Sequence, residues 1–170
     1  MKRIILTLLF YSFTVTSVAQ YCSCISIAKD ENDGTETKSG TTKSNDGYTL
    51  LFQKEKSFIN LSKEPTFIIS LDANSRDLFS NSLKNNKVKI ELQLKDKSKI
   101  VLEKAKSVYN PVAKGFSVTF GTLINKEQLE NILLNPIVSI NILGILKTSF
   151  KEKSQREQKI IINCLLSEDW

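Results

Sequence analysis

At 170 residues, 41% of them hydrophobic and 25% charged, the chain has the length of one domain able to bury roughly two-thirds of its unfolded surface. It contains no histidine, which excludes Ser-His-Asp and Cys-His nucleophile activation, His-ligated zinc and the two-His, one-carboxylate iron triad. Its formal charge of +6 comes almost wholly from lysines interleaved with acids, without the arginine forks and gathered aromatics of a nucleic-acid surface.

Lys2 and Arg3 precede an apolar run at residues 4–10 (IILTLLF), and Ser17-Val18-Ala19 offers small side chains for cleavage before Gln20. Residues 1–19 therefore read as a removable export signal, and the mature chain as secreted or periplasmic. Ser12, Thr14, Thr16 and Ser17 stop the run well short of the ~20 apolar residues that a membrane span needs. The alternatives are an uncleaved anchor and a lipid anchor on Cys22 or Cys24. Tyr21 directly before Cys22, and Tyr21-Cys22-Ser23 before Cys24, lack the Leu and small residues of a lipoprotein signal.

Three cysteines allow at most one internal disulfide. Cys22 and Cys24 are too close in sequence to bridge each other at the usual Cα separation, which leaves a bridge from the pair to Cys164, set here as Cys24–Cys164. Against it stands a buried free Cys164. In an extended segment Cys164 shares a core-facing side with Ile160, Ile162 and Leu166, whereas Cys22 and Cys24 share a side with Ser26 and Ala28.

Residues 29–47 hold no large apolar side chain and are expected to form a flexible polar linker after a short first strand. A calcium loop built on Asp30, Asp33 and Asp46 fails on spacing. With Gly34 as the turn glycine, Lys29 falls at the first ligand position and Gly40 where the bidentate Glu belongs.

From Leu50 onward the period is two. Leu50 and Phe52 alternate, then Phe67, Ile69 and Leu71, and most clearly Val88, Ile90, Leu92 and Leu94. Residues 99–104 return as the second strand of a hairpin across a polar turn at 95–98. Phe116, Val118 and Phe120 continue the pattern, as do Val138, Ile140 and Ile142, and Ile160 to Leu166 close it. Asn125 with Gln128 forms a capping box for a helix over Lys126–Leu134 that Pro136 ends. A weaker helical turn falls at 75–83, and residues 144–158 read as a polar connection. The expected fold is mainly β: an antiparallel β-sandwich or partly open barrel with one or two short helices. Residues 1–19 are the signal, 20–47 a strand and linker, and 48–170 the domain.

Six scattered glycines build no phosphate loop, and three cysteines cannot supply a four-thiolate metal site. No cofactor or metal is expected. Histidine-free chemistry leaves a carboxylate pair, with Asp72, Asp77, Asp96 and Glu103 as acids near strand ends that read more simply as turn and cap residues. Trp170, at the chain's end, reads as an edge plug. Asn60-Leu61-Ser62 has the form of a glycosylation sequon.

The outward face of the strands is the candidate binding surface. Parity places Glu91, Gln93, Ser117, Thr119, Ser139 and Asn141 there, with Glu103 beside them and Tyr48 and Tyr109 at strand or loop ends. The plain reading of the same face is a solvated surface. The leader ending Ser17-Val18-Ala19-Gln20, the Lys, Asn and Ile bias, and the strand-helix-strand block at 115–142 resemble small secreted β-sandwich proteins of Bacteroidetes-type bacteria. That resemblance implies export and a β-sandwich and assigns no functional residue. The reading that follows is an exported, non-enzymatic binding module with a glycan or another envelope protein as partner, with no nucleic acid and no transmembrane span after signal cleavage. Its rivals are a carboxylate-pair hydrolase and a structural accessory domain of an envelope assembly.

Overall fold

The structure is a computed structural model that describes residues 22–57, 59, 64–74, 88–112, 115–142 and 146–167. The expected export signal at residues 1–19, Asn60, the helical turn expected at 75–83 with Asp77, and Trp170 lie outside the described residues.

Alternation of apolar and polar side chains forms the strands and decides which face each one buries. The strands are β1 (Ser26–Asp30), β2 (Thr35–Lys43), β3 (Thr49–Ser57), β4 (Thr66–Asn74), β5 (Val88–Leu94), β6 (Lys99–Val112), β7 (Gly115–Ile124), β8 (Ile137–Ile142) and β9 (Leu146–Ser149). Helix α1 (Lys126–Leu134) precedes β8, and α2 (Glu152–Leu166) follows β9. All pairings are antiparallel, in a single unclosed sheet of order β1-β2-β3-β4-β7-β6-β5-β8-β9. Among the described residues the fold is thus mainly β, the class that the alternation predicts, with two helices.

The long strand β6 turns this sheet back on itself. Residues 106–112 pair with β7 and residues 99–105 with β5. At the junction Lys104 takes a left-handed φ of 66°, and the β5–β6 register shifts between Val88 and Ile90. A left-handed residue in a strand marks a bulge that raises local twist and bends the ribbon. Leu50, Ile69 and Phe120 from one half then meet Ile90, Leu92 and Ile140 from the other around a void of only about 10 Å³. The two halves share one close-packed core.

Helix α1 has its expected bounds. The Asn125 side chain accepts from the Gln128 N–H (2.7 Å), and the Gln128 side chain accepts from the Asn125 N–H (3.1 Å).

Two segments depart from the sequence reading. Residues 35–43, expected as flexible linker, are β2, paired on both sides. Residues 152–166, expected as polar connection and final strand, are α2. Each explains the other. Glu36, Lys38, Gly40 and Thr42 form the inner face of β2, and they are buried because α2 lies across them rather than because they are apolar. On α2 the buried set is Gln158, Ile161, Ile162, Cys164 and Leu165, in which 158, 161, 162 and 165 follow a helical period. A Cβ on Gly40 would stand 2.8 Å from Ile161 and 2.9 Å from Ile25, so the bare backbone lets the helix seat.

The β1–β2 turn is closed by its own aspartates. The Asp30 carboxylate accepts from the Asn32 N–H and that of Asp33 from the Thr35 N–H, each at 2.9 Å, with Gly34 at φ 67°. Asp46 is occupied elsewhere, accepting from the Thr148 hydroxyl at 2.6 Å. That bond, with Asn45 N–H to Ser149 O (2.8 Å), ties the β2–β3 turn to β9 at the opposite edge of the sheet.

Candidate functional site

Residues 22–24 make a turn, closed by the Ile25 N–H donating to the Cys22 carbonyl (3.0 Å), that lies against α2. The bridge is Cys22–Cys164, with Cα atoms 5.7 Å apart, and Cys24 is free and exposed. The expected Cys24–Cys164 pairing is corrected on this point, and so is the alternative of a free Cys164. Strand parity governs neither partner: Cys164 sits on a helix, and the turn aims Cys22 toward that helix and Cys24 away from the core.

Beside the bridge lies a groove of about 730 Å³, within the range of small-ligand sites. Its walls come from the N-terminal turn (Ser23, Cys24), the end of β2 (Thr41 to Lys43) and the first three turns of α2 (Lys153, Ser154, Glu157), with Ile160 and Ile161 as an apolar floor. Two internal hydrogen bonds fix its shape. The Thr42 hydroxyl donates to Glu157 Oε2 at 2.7 Å, and the Ser154 hydroxyl to the Lys43 carbonyl at 2.6 Å. Glu157, the acid of the groove, is thereby engaged, while no ion pair among the described residues reaches Lys43 or Lys153. The groove thus presents two ammonium groups and the hydroxyls of Ser23 and Thr41 around a small apolar floor.

A second groove, of about 850 Å³, opens between β3, β4 and α1. Three of its polar side chains, Lys54, Asn125 and Gln128, serve the helix ends, and Lys56, Glu64, Thr66 and Lys126 line it beside them. Lys54 Nζ, on a buried side chain, donates to the Ser167 carbonyl (3.3 Å) and stands 6.0 Å from the centroid of the Phe67 ring. Helix α2 has no basic residue in its last turn, so Lys54 supplies the positive charge that a helix C-terminus favours. Asn125 and Gln128, also in the lining, are used by the α1 capping box.

The residues singled out from sequence fall into two groups. Glu91 faces Asn141 and Gln93 faces Ser139 across β5 and β8, half-buried on the outer side of one half of the sheet. Glu91 sits 3.9 Å from both Lys89 and Lys99, and the Gln93 amide donates to the Ser98 carbonyl (2.9 Å). Ser117 and Thr119 are on β7, opposite Asn74 and Asp72, and the Thr119 hydroxyl donates to Asp72. The bend in β6 separates these two from the other four.

Of the candidate acids, Asp72 lies on β4, Asp96 in the β5–β6 turn and Glu103 on β6, and none lines either groove. The Ser98 hydroxyl (2.6 Å) and N–H (2.9 Å) hold the Asp96 carboxyl below the usual range. Tyr48 packs against the core and Tyr109 lies on β6.

The groove beside the disulfide draws on the two segments read as linker and connection, which is why the sequence reading passed it by. The signals were the helical spacing of Gln158, Ile161, Ile162 and Leu165 and the Thr35, Thr37, Ser39, Thr41 alternation around Gly40.

Comparison with protein-family models, with curated proteins and with solved structures finds no match to this chain.

Proposed function

We propose that this chain is an exported, non-enzymatic binding module that holds an acidic glycan of the cell envelope in the groove beside the Cys22–Cys164 bridge. The observation that carries this is the pair Lys43 and Lys153, without ion-pair partners among the described residues, set around hydroxyls and a hydrogen-bonded frame. Ammonium groups meet carboxylate or sulfate substituents, Ser23 and Thr41 meet sugar hydroxyls, and Ile160 and Ile161 underlie the apolar face of a ring. Export is supported by the leader and by a disulfide compatible with an oxidising compartment. Among the described residues no helix is long and apolar enough to cross a membrane.

The test is calorimetric titration of the folded, oxidised chain with uronate-containing and sulfated oligosaccharides, beside a neutral oligosaccharide of the same length. Exposed charge pairs contribute about 0.2–1 kcal/mol each, so K43E/K153E is expected to weaken acidic-glycan binding about tenfold or more as attraction turns to repulsion. Binding by the neutral and acidic series alike, or acidic binding that survives the double reversal, overturns the reading.

A further inference from the structure

We infer that Cys24 is a second, alternative partner for Cys164, so that thiol and bridge exchange within one chain. Cys24 lines the groove together with Ile160 and Ile161 of α2. Those residues precede Cys164 by four and three positions and share its helical face, one turn of about 5.4 Å away. Side chains on a helix lean toward its N-terminus, so the sulfur of Cys164 leans toward the turn that Cys24 borders. The free thiol is exposed, two residues from the bridged one, on a turn held by a single backbone hydrogen bond among the described residues.

Chain entropy does not choose between the two bridges. The loop closed by Cys22–Cys164 spans 142 positions, and one closed by Cys24 is only two shorter, a negligible difference on a logarithmic scale. The choice falls to the turn itself. Ile25 packs against the core near Gly40 and Ile161 and anchors the end of the segment, so only the turn at residues 22–24 has to re-form.

The step balances without an oxidant. Cys24 releases its proton to water, and its thiolate attacks the Cys164 sulfur. The Cys22–Cys164 bond breaks as Cys24–Cys164 forms, and Cys22 leaves as a thiolate that takes up a proton. The groove changes with it, because one of its wall residues is drawn onto the helix. This inference concerns the protein's own sulfur chemistry and stands independently of what the groove binds.

The experiment follows the free thiol in the full, oxidised chain at low concentration. N-Ethylmaleimide blocks free thiols after incubation at about pH 6 or about pH 8, a non-reducing gel isolates monomer, and fragment-ion mass spectrometry locates the label on Cys22 or Cys24. Because the thiolate is the attacking species, label at Cys22 is expected to grow with time and to grow at least about tenfold faster at the higher pH. In C22S the Cys24–Cys164 bridge is expected to form, leaving no titratable thiol. Label confined to Cys24 at both pH values overturns the inference whether or not C22S folds. So does folded C22S with two free thiols, or Cys22 label found only in disulfide-linked dimers.

Discussion

The core formed by β3, β4, β7 and β5 and the layer where α2 covers β2 are buried to similar depth by opposite means. In the first, Phe52, Leu71, Phe120 and Leu92 are almost wholly shielded and present no polar atom that needs a partner. In the second, Glu36, Lys38, Thr42 and Gln158 are also buried. There the partners are specific: Lys29 for Glu36 at 2.8 Å, Glu157 for Thr42, and both backbone groups of Ile137 for the Gln158 amide at 2.9 and 3.2 Å. Apolar burial draws its free energy from area and is broadly distributed. Polar burial is nearly neutral while every group is matched and costly as soon as one is not. The first region is therefore expected to fail in proportion to volume lost, the second by the loss of individual bonds.

The largest effect falls in the apolar region. Phe120→Ala is expected to destabilise by about 3–5 kcal/mol, read as a lower midpoint in urea unfolding, since the close-packed strand residues around it can fill the cavity only in part. A loss under about 1 kcal/mol there would show that the two halves do not share a core.

Next comes Gln158→Ala, which strands the Ile137 N–H and carbonyl in a buried site. The expected loss is about 2–4 kcal/mol for a side chain whose removed carbon content alone accounts for far less. Gln158→Met supplies the packing without the bonds and should recover little of it. Full recovery by Met would place this layer in the same class as the apolar core and dissolve the contrast.

The same contrast explains what was legible. Alternation such as Val88, Ile90, Leu92, Leu94 identifies strand, face and core together, because apolar area alone drives that burial. The capping box at Asn125 and Gln128 is equally local, and α1 has the bounds it predicts. The β2–α2 layer carries no such signature. Thr, Lys, Glu and Gly at 35–43 read as linker until a helix more than a hundred residues later covers them, and Ile160, Ile162, Cys164 and Leu166 satisfy a period of two over a stretch whose real period is 3.6. The groove lies on that layer, as does the bridge, so the site went unread along with the elements that build it. The outward polar residues Glu91, Gln93, Ser139 and Asn141 were placed on the correct face, but the bend at Lys104, invisible in the pattern, separates them from Ser117 and Thr119.

A smaller effect tests the fit of the polar layer. In Gly40→Ala the new Cβ would meet both Ile161 and Ile25 inside 3.0 Å, so α2 must move or the side chains must shift. Overpacking of this kind costs about 1–3 kcal/mol. Here it should also disturb the groove, read under the proposed function as weakened acidic-glycan binding in a variant still folded at room temperature. Ile161→Ala removes both γ-carbons that the new Cβ would meet, so it should cost less in the Gly40→Ala background than in the wild type, and equal costs in the two backgrounds would place the clash elsewhere.

The smallest effect sits outside both regions and sets the baseline for surface electrostatics. Asp96 is fully exposed, and its carboxylate accepts from the Ser98 hydroxyl and N–H across the β5–β6 turn. Because the folded state holds this carboxyl below its unfolded value, it contributes stability that is present above the ordinary aspartate pKa of about 3.9 and is lost as pH falls through the lower folded value. Asp96→Asn keeps an acceptor oxygen and removes the charge. The wild type should therefore melt slightly higher than the variant near neutral pH, and the gap should close in acid as the carboxylate of the wild type is neutralised. A gap that persists after acidification would assign the effect to turn geometry rather than charge. Solvent screens this contribution, whereas the buried bonds of Gln158 have no water to replace them, so the Asp96 gap should also shrink with added salt while the Gln158 loss does not.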